Sequence, residues 1–376
     1  MSVLYYIISF FLIINIIVAV HEYGHYLAAK QCGVKITKFS IGIGPEIFGF
    51  TDKHDTRWSF SLLPIGGFVM MLGDGDIASA TEDESVKNLA EEERKHAISS
   101  KTNWEKMWVA FAGPLFNYIY AFVVIIGMGL FYGIPTYEPV IDSIQENSPA
   151  EKAGLQHGDR VISINGRAIK KYRDIVINVM EDETGKLDFL IERNGVRQNI
   201  LLSPEIKETK SAIGRTKKTK LVGVRSGKPV FEKKSFVDAV VRAFQECVYS
   251  TKEMGHVFAQ LFAGRKSLDD FGGIVRMASI AGDLSKEGNI AMLIMFTVTL
   301  SLNLGFINLF PLPVLDGGRI LLCFIEQVTR RKLNEKVQEY IMIVCAGLLI
   351  LLMLATTVND ILRLESVEKF VSSFMR

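Results

Sequence analysis

Residues 16–30 read IIVAVHEYGHYLAAK. Two histidines and a glutamate stand at the far end of an apolar run that begins near Leu4. Ionisable groups in hydrocarbon are costly, and by default they mark a functional site. On a helix, His21 and His25 lie four residues apart, so both imidazoles project from one face and can grip one cation. Glu22 then sits beside that cation, placed to take a proton from water. This is the H-E-x-x-H arrangement of zinc hydrolases. A buried glutamate with no such partner would oppose insertion.

The 376 residues are 49% hydrophobic and 22% charged, with a mean hydropathy of +0.24. That is too apolar for an ordinary soluble protein and too charged for spanning helices alone. It fits a membrane protein with a soluble insert. A net charge of +2 supplies no concentrated basic face to displace counterions from phosphates, which excludes a nucleic-acid partner. Cys32, Cys247, Cys323 and Cys345 are scattered without metal-site or disulfide spacing and read as free thiols.

Four stretches approach or exceed the roughly 20 residues that a spanning helix needs: Leu4–Ala29, Trp104–Tyr132, Ile290–Leu312 and Tyr340–Leu362. The first lacks a basic leader and a small-residue cleavage pattern, so it is expected to stay in the mature protein. Arg330, Arg331, Lys332 and Lys336 mark the last short loop as cytoplasmic, and no Lys or Arg precedes the first span. This orientation puts the amino terminus and the insert 133–289 outside and residues 30–103 inside. His21 then lies about 26 Å along the helix from Leu4, near the cytoplasmic edge of a core about 30 Å thick.

A catalytic zinc site usually takes a third protein ligand. The strong candidate within a spanning region is Asp316, at the end of NLFPLPVLDGG (308–318), where two prolines and two glycines are expected to break the third helix. Irregular backbone at membrane depth is tolerated only where it is buried in protein or lines a wet cavity. The alternative is that Asp316 merely caps the helix that follows.

HEYGH at 21–25, AGPLFN at 112–117, an extracytoplasmic insert and NLFPLPVLDGG occur in one order. Together they resemble the site-2 protease family of intramembrane zinc metalloproteases, most nearly its RseP-like branch, over almost the whole chain. The resemblance implies that His21, His25 and Asp316 hold Zn2+ and that Glu22 activates the hydrolytic water. It gives Asn308 the task of holding an unwound substrate backbone, against the alternative of a hydrogen bond within its own broken helix. Gly113 would let helices approach closely, and Gly113, Pro114 and Asn117 read as structural.

KITKFSIGIGPEIF and RWSFSLLPIGGFVMM alternate β-branched and aromatic residues with polar ones between glycines and prolines, which predicts short strands and turns. In the family such a region forms a membrane-associated hairpin beside the active site. It would hold substrate as an added strand or only seal the cytoplasmic face. The acidic 74–103 segment reads as a solvated connector, and His54 and His96 as surface residues.

The insert opens with PVIDSIQENSPAEKAGLQHGDRVISINGRAI, which resembles a PDZ domain over about 137–204. There Ser148 and Pro149 start a short helix and Gly158 with Asp159 makes a turn. His157 is read as an exposed non-ligand. Relatives with two tandem PDZ modules differ, since 137–230 has room for one plus a strand-like LVGVRSG. Arg319 also replaces a histidine common after LDGG, with no catalytic consequence expected. SFVDAVVRAFQECVYSTKEMGHVFAQLFAG, which carries His256, spaces its apolar residues as an amphipathic helix expected on the outer membrane surface. KSLDDFGGIVRMASIAG is expected to form a loop and short helix that clamps substrate.

The expected fold is therefore a membrane α-helical bundle of about four transmembrane helices with an inserted α+β PDZ-like domain and a short membrane-associated β-hairpin. Its parts are 1–134 with the first two spans, 135–230 PDZ-like, 231–289 amphipathic helix and clamp, and 290–376 with the last two spans. The resemblance implies an endopeptidase of the bacterial inner membrane acting on single-spanning membrane proteins, such as anti-sigma factors or signal-peptide remnants, with the PDZ domain gating entry. A scaffold with a structural metal has no use for Glu22. A metal transporter would show repeated broken helices.

Overall fold

The computed structural model describes residues 2–74, 90–182, 184–210, 216–264 and 273–362. Half of the acidic connector, residues 75–89, and the part of the expected clamp before 273 lie outside these. The chain divides into two compact units. One consists of 1–126, 240–262 and 271–376, and the other of 127–239 with 263–270.

The first unit begins with α1 (Ser2–Gln31), followed by β1 (Ile36–Thr51) and β2 (Arg57–Met71). A short α2 (Glu91–Arg94) then leads to α3 (Asn103–Phe131). The sequence predicts short strands between α1 and α3, but the structure has two long ones. Phe39 is opposite both Val69 and Trp58, and Ser40 is opposite both Phe68 and Ser59, so the first half of β1 lies between the two ends of β2. Gly42, Gly44 and Gly66 adopt positive φ (88°, 98° and 80°) at the irregular points of this ladder, which lets the strands bend without ending. Asp52 closes the turn. Its carboxylate accepts from Trp58 Nε1 and from the backbone N–H groups of His54 and Thr56, and the Trp58 bond first of all holds its pKa below the ordinary value.

The sheet packs on the ends of α1 and α3 through Tyr26, Val34, Ile36, Phe39, Met71 and Val109. A second tie lies further along α1, where Asn15 Nδ2 donates to the Pro64 carbonyl at 2.7 Å. Gly67 of β2 rests against α1 as well. A Cβ there would stand 3.1 Å from Val18 and 3.4 Å from Glu22 Cγ.

After the insert come α6 (Phe236–Phe262), α7 (Ile274–Lys286), α8 (Ile290–Asn308), α9 (Asp316–Thr329) and α10 (Glu335–Leu362). Among the described residues, four helices, α1, α3, α8 and α10, are long and apolar enough to cross a membrane. The third stops at Asn308, before the expected Leu312. The expectation for α6 also needs correction. Tyr118 of α3 hydrogen-bonds Thr251 and Phe258 packs on Phe306 and Phe310, so this helix lies along the bundle and is not spread on its outer surface. An apolar stripe serves equally against a membrane interface or a neighbouring helix, and periodicity does not distinguish them.

Helix α7 packs on α1, with the Tyr6 ring against Gly282. Its first turn is capped by the buried Asp360 of α10, which accepts from the Arg276 N–H at 3.0 Å. The most apolar window of α10 is otherwise unburied, as suits a helix facing lipid.

The insert comprises β3 (Ile134–Thr136), β4 (Ile141–Ile144), α4 (Pro149–Lys152), β5 (Arg160–Ile164), β6 (Arg167–Ala168) and α5 (Tyr172–Glu181). The strands β7 (Leu187–Arg193), β8 (Val196–Leu202), β9 (Glu205–Lys210), β10 (Thr216–Leu221), β11 (Val224–Ser226) and β12 (Val230–Glu232) complete it. The main sheet has the order β6-β5-β7-β8 and encloses Ile141, Val161, Ile164, Ile175, Leu187, Phe189 and Ile191. Beyond the PDZ-like 137–204, the strand-like LVGVRSG contains β11, and the unit is closed by β11 on β4 and β12 on β3. Ser148 caps α4 as its sequence suggests. His157 is exposed and bonded to the Asp142 carbonyl.

Asp159, read from sequence as a turn residue, has a wider part to play. It is 0% exposed and accepts two bonds from Arg193, at 2.7 and 2.8 Å, and one from the Gln156 N–H. The pair ties the start of β5 to the end of β7. Removing the cation would strand a buried carboxylate, at a cost of about 3–5 kcal/mol. Arg193→Ala is therefore expected to open the insert, read as faster limited proteolysis between 127 and 239 in the full-length protein, while Arg193→Lys gives an intermediate rate.

Candidate metal centre

The surroundings of the histidine pair on α1 depend on how closely α3 can approach. At Gly24 a Cβ would lie 2.4 Å from the Ala112 carbonyl oxygen, and at Gly113 it would lie 2.3 Å from His25 Nε2 and 2.8 Å from His21 Cε1. The two helices thus cross at backbone distance where the histidines sit, as small residues permit in membrane bundles. His21 and His25 are 6% and 8% exposed.

The third group arrives from the other side of the sequence. Helix α8 ends at Asn308, the chain turns through 309–315, and Asp316 opens α9. The sequence reading took both glycines of LDGG as helix breakers, but they are helical, in the first turn of α9. Their role is steric. A Cβ at Gly317 would meet the Leu309 carbonyl oxygen at 2.3 Å and one at Gly318 the Leu312 carbonyl oxygen at 2.1 Å. The turn therefore folds directly onto the start of the helix that carries Asp316.

His21 Nε2 stands 3.1 Å from Asp316 Oδ2, His25 Nε2 3.5 Å from Asp316 Oδ1, and the two Nε2 atoms are 3.2 Å apart. Tetrahedral zinc, with bonds of about 2.0–2.1 Å, sets neighbouring ligand atoms about 3.3 Å apart. The nearest separations lie close to that value, with the two histidines facing different oxygens of Asp316, so the donor set suits such an ion in chemistry and lies near it in size. Among the described residues this trio is the group of His, Cys, Asp and Glu side chains close enough to share a metal, with its ligand atoms within 4.8 Å of one another.

Surrounding groups orient the ligands, as carbonyls and amides commonly do for metal-bound histidines. His25 Nδ1 is 2.7 Å from the Val109 carbonyl oxygen. A carbonyl only accepts, so Nδ1 carries the proton and Nε2 faces Asp316 with its lone pair. His21 Nδ1 is 3.2 Å from the side-chain amide of Asn117, and the Asn308 amide is 3.3 Å from His21 Nε2. Glu22 lies on α1 between the histidines, part-buried, with Gly67 against its stem.

The structure thus brings His21, His25, Asp316 and Asn308 together, with Glu22 at the edge facing β2. Sequence reasoning missed the Val109 carbonyl, a backbone group with no sequence signature. It also missed Asn15, whose signal was a lone amide in the apolar run IINIIV. His54 and His96 stand apart from the trio and line a separate cavity of about 180 Å³ beside Lys30 and Lys35. Arg319 pairs with Asp74 at 3.5 Å. All four cysteines are free.

The sequence profile of Peptidase family M50 matches residues 9–353. A protein of Mesorhizobium japonicum named as a zinc metalloprotease is 34% identical over 351 residues, covering 92% of this chain and 95% of its own. Another so named, from Agrobacterium fabrum, is 33% identical and covers 95% of each. The regulator of sigma-W protease RasP of Bacillus subtilis is 29% identical over 95% of this chain and 98% of its own. Among solved structures, the PDZ domain of an SdrC-like protein from Listeria monocytogenes is 20% identical and covers 24% of this chain, at a TM-score of 0.18, an overlap too slight to argue from.

The crossing at Gly113 yields a direct test. Gly113→Ala places a methyl group on His25 Nε2, and purified protein is expected to lose zinc affinity on the order of a hundredfold, measured by chelator competition. Gly127→Ala, on the same helix with open space around it, should leave binding unchanged.

Proposed function

The chain belongs to Peptidase family M50, the site-2 protease family, and is a zinc metalloprotease; from that premise we propose that His21, His25 and Asp316 hold the zinc and that Glu22 is the catalytic base. The observation that carries this reading is the convergence of three ligand atoms within 4.8 Å, on helices otherwise apolar enough to span a membrane.

Bound zinc supplies Lewis acidity at the scissile carbonyl. The chain's own residues do the rest. Glu22 takes a proton from the attacking water, and as the C–N bond breaks it delivers that proton to the leaving amine. Asn308, beside His21 Nε2, donates its amide to the substrate backbone and keeps the reacting segment extended. The β1–β2 sheet supports that extension. Among the described residues, Gly67–Met71 pairs within the sheet only with the first half of β1, leaving an edge to which an extended segment can add. A helical substrate would otherwise keep its amides in its own hydrogen bonds. The exposed Ile43, Ile47, Phe48, Leu62 and Leu63 in the middle and second half of β1 and the middle of β2 suit contact with lipid.

The substrates in this reading are single-spanning membrane proteins, of the anti-sigma-factor or signal-peptide-remnant type, cut within or near the membrane on the cytoplasmic side of the bacterial inner membrane. The amino terminus and the PDZ-like insert lie outside, as the Arg330–Lys332 loop charge and the positive-inside rule indicate. The insert restricts entry to substrates whose external part has already been shortened.

Co-expression of a tagged single-spanning reporter with a short external part tests the assignment. The wild type is expected to release a cytoplasmic fragment, and Glu22→Gln to lower the rate by about a hundredfold or more. Equal survival of several such reporters with both proteins would overturn it.

A further inference from the structure

The two histidines of the centre are oriented by unlike partners. His25 is held by a backbone carbonyl, which fixes its tautomer outright. His21 is held by a side-chain amide, which can present either a donor or an acceptor. Which end of that amide faces His21 decides whether the imidazole can serve a metal.

Asn117 is 0% exposed. With Nδ2 turned toward His21 Nδ1 at 3.2 Å, its Oδ1 is buried with no hydrogen-bond partner among the described residues. That orientation makes Nδ1 an acceptor and puts the single proton of a neutral ring on Nε2, pointing at Asp316. A proton there suits a His21–Asp316 hydrogen bond but blocks a metal, because a neutral imidazole binds metal only through an unprotonated nitrogen. A half-turn of the amide exchanges two groups of nearly equal shape. The oxygen then accepts from Nδ1–H, and the Nε2 lone pair is directed between His25 Nε2 and Asp316.

We propose that Asn117 is the positioning residue that fixes His21 in its metal-binding tautomer, its side-chain oxygen accepting the Nδ1–H bond. This rests on the zinc-site assignment above. An amide performs the task without adding charge to a buried site that already carries Asp316 and, one residue from His21, Glu22. The backbone of Asn117 is held separately, because its carbonyl accepts from Ser301 Oγ at 3.0 Å. A change of side chain therefore leaves that tie between α3 and α8 in place.

The test measures zinc affinity by chelator competition on the full-length protein in detergent, with two variants. Asn117→Leu removes the acceptor at similar volume and is expected to weaken zinc binding by about 10- to 100-fold. Asn117→Asp restores an acceptor at the cost of a further buried charge and is expected to bind zinc more tightly than Asn117→Leu. Nitrogen NMR of zinc-free wild-type protein labelled at histidine supplies a readout independent of variant folding, with His21 Nδ1 expected as the protonated ring nitrogen before any metal is bound. An unprotonated Nδ1, or two variants that bind zinc alike, would overturn the proposal while the zinc site stands. Wild-type protein that takes up no zinc would overturn both.

Discussion

Three buried polar side chains inside an apolar bundle are tolerable only if they face one another, and this requirement organises the rest of the first unit. Each of His21, His25 and Asp316 alone would be an unpaired polar group removed from water. Brought to separations of 3.1 to 3.5 Å, they satisfy one another or a shared ion. The convergence needs two features with no chemistry of their own. Glycines at 24 and 113 let α1 and α3 touch backbone to side chain, and glycines at 317 and 318 let the 309–313 turn lie on the helix that begins with Asp316. The polar centre is thus built mostly by removing side chains around it.

Much of this centre could be read in the sequence because helical spacing is a rigid constraint. The four-residue spacing of His21 and His25 decides which face they share, and a lone carboxylate beside a Pro-rich interruption of a span is rare enough to notice. Asn308 emerged only through family resemblance, and the structure sets its amide 3.3 Å from His21 Nε2. What stayed illegible depended on backbone atoms or on partners distant in sequence. The Val109 carbonyl has no residue type to betray it. Asp159 and Arg193 were not linked until β5 and β7 lay side by side.

The departures at the element level have one source. Apolar periodicity reports that a face is buried without reporting what buries it. Helix α6 was expected on a membrane surface and instead meets α3 and α8. The strands after α1 were expected to be short because glycine and proline interrupt them. Folding the first half of β1 between the two ends of β2 turns those same glycines into bends within a continuous ladder.

The two ties between β2 and α1 also make a vernier. From Asn15 to Glu22 is seven residues of helix, about 10.5 Å of rise. From Pro64 to Gly67 is three residues of strand, at most about 10 Å and less across the bend at Gly66. With Pro64 fixed on Asn15, that bend brings a residue without a side chain level with the glutamate. One residue more or less in the strand would shift the scales by about 3.3 Å and set Phe68 or its neighbour against the carboxylate. The length of PIGG is therefore as much a part of the geometry of this centre as the spacing of HEYGH.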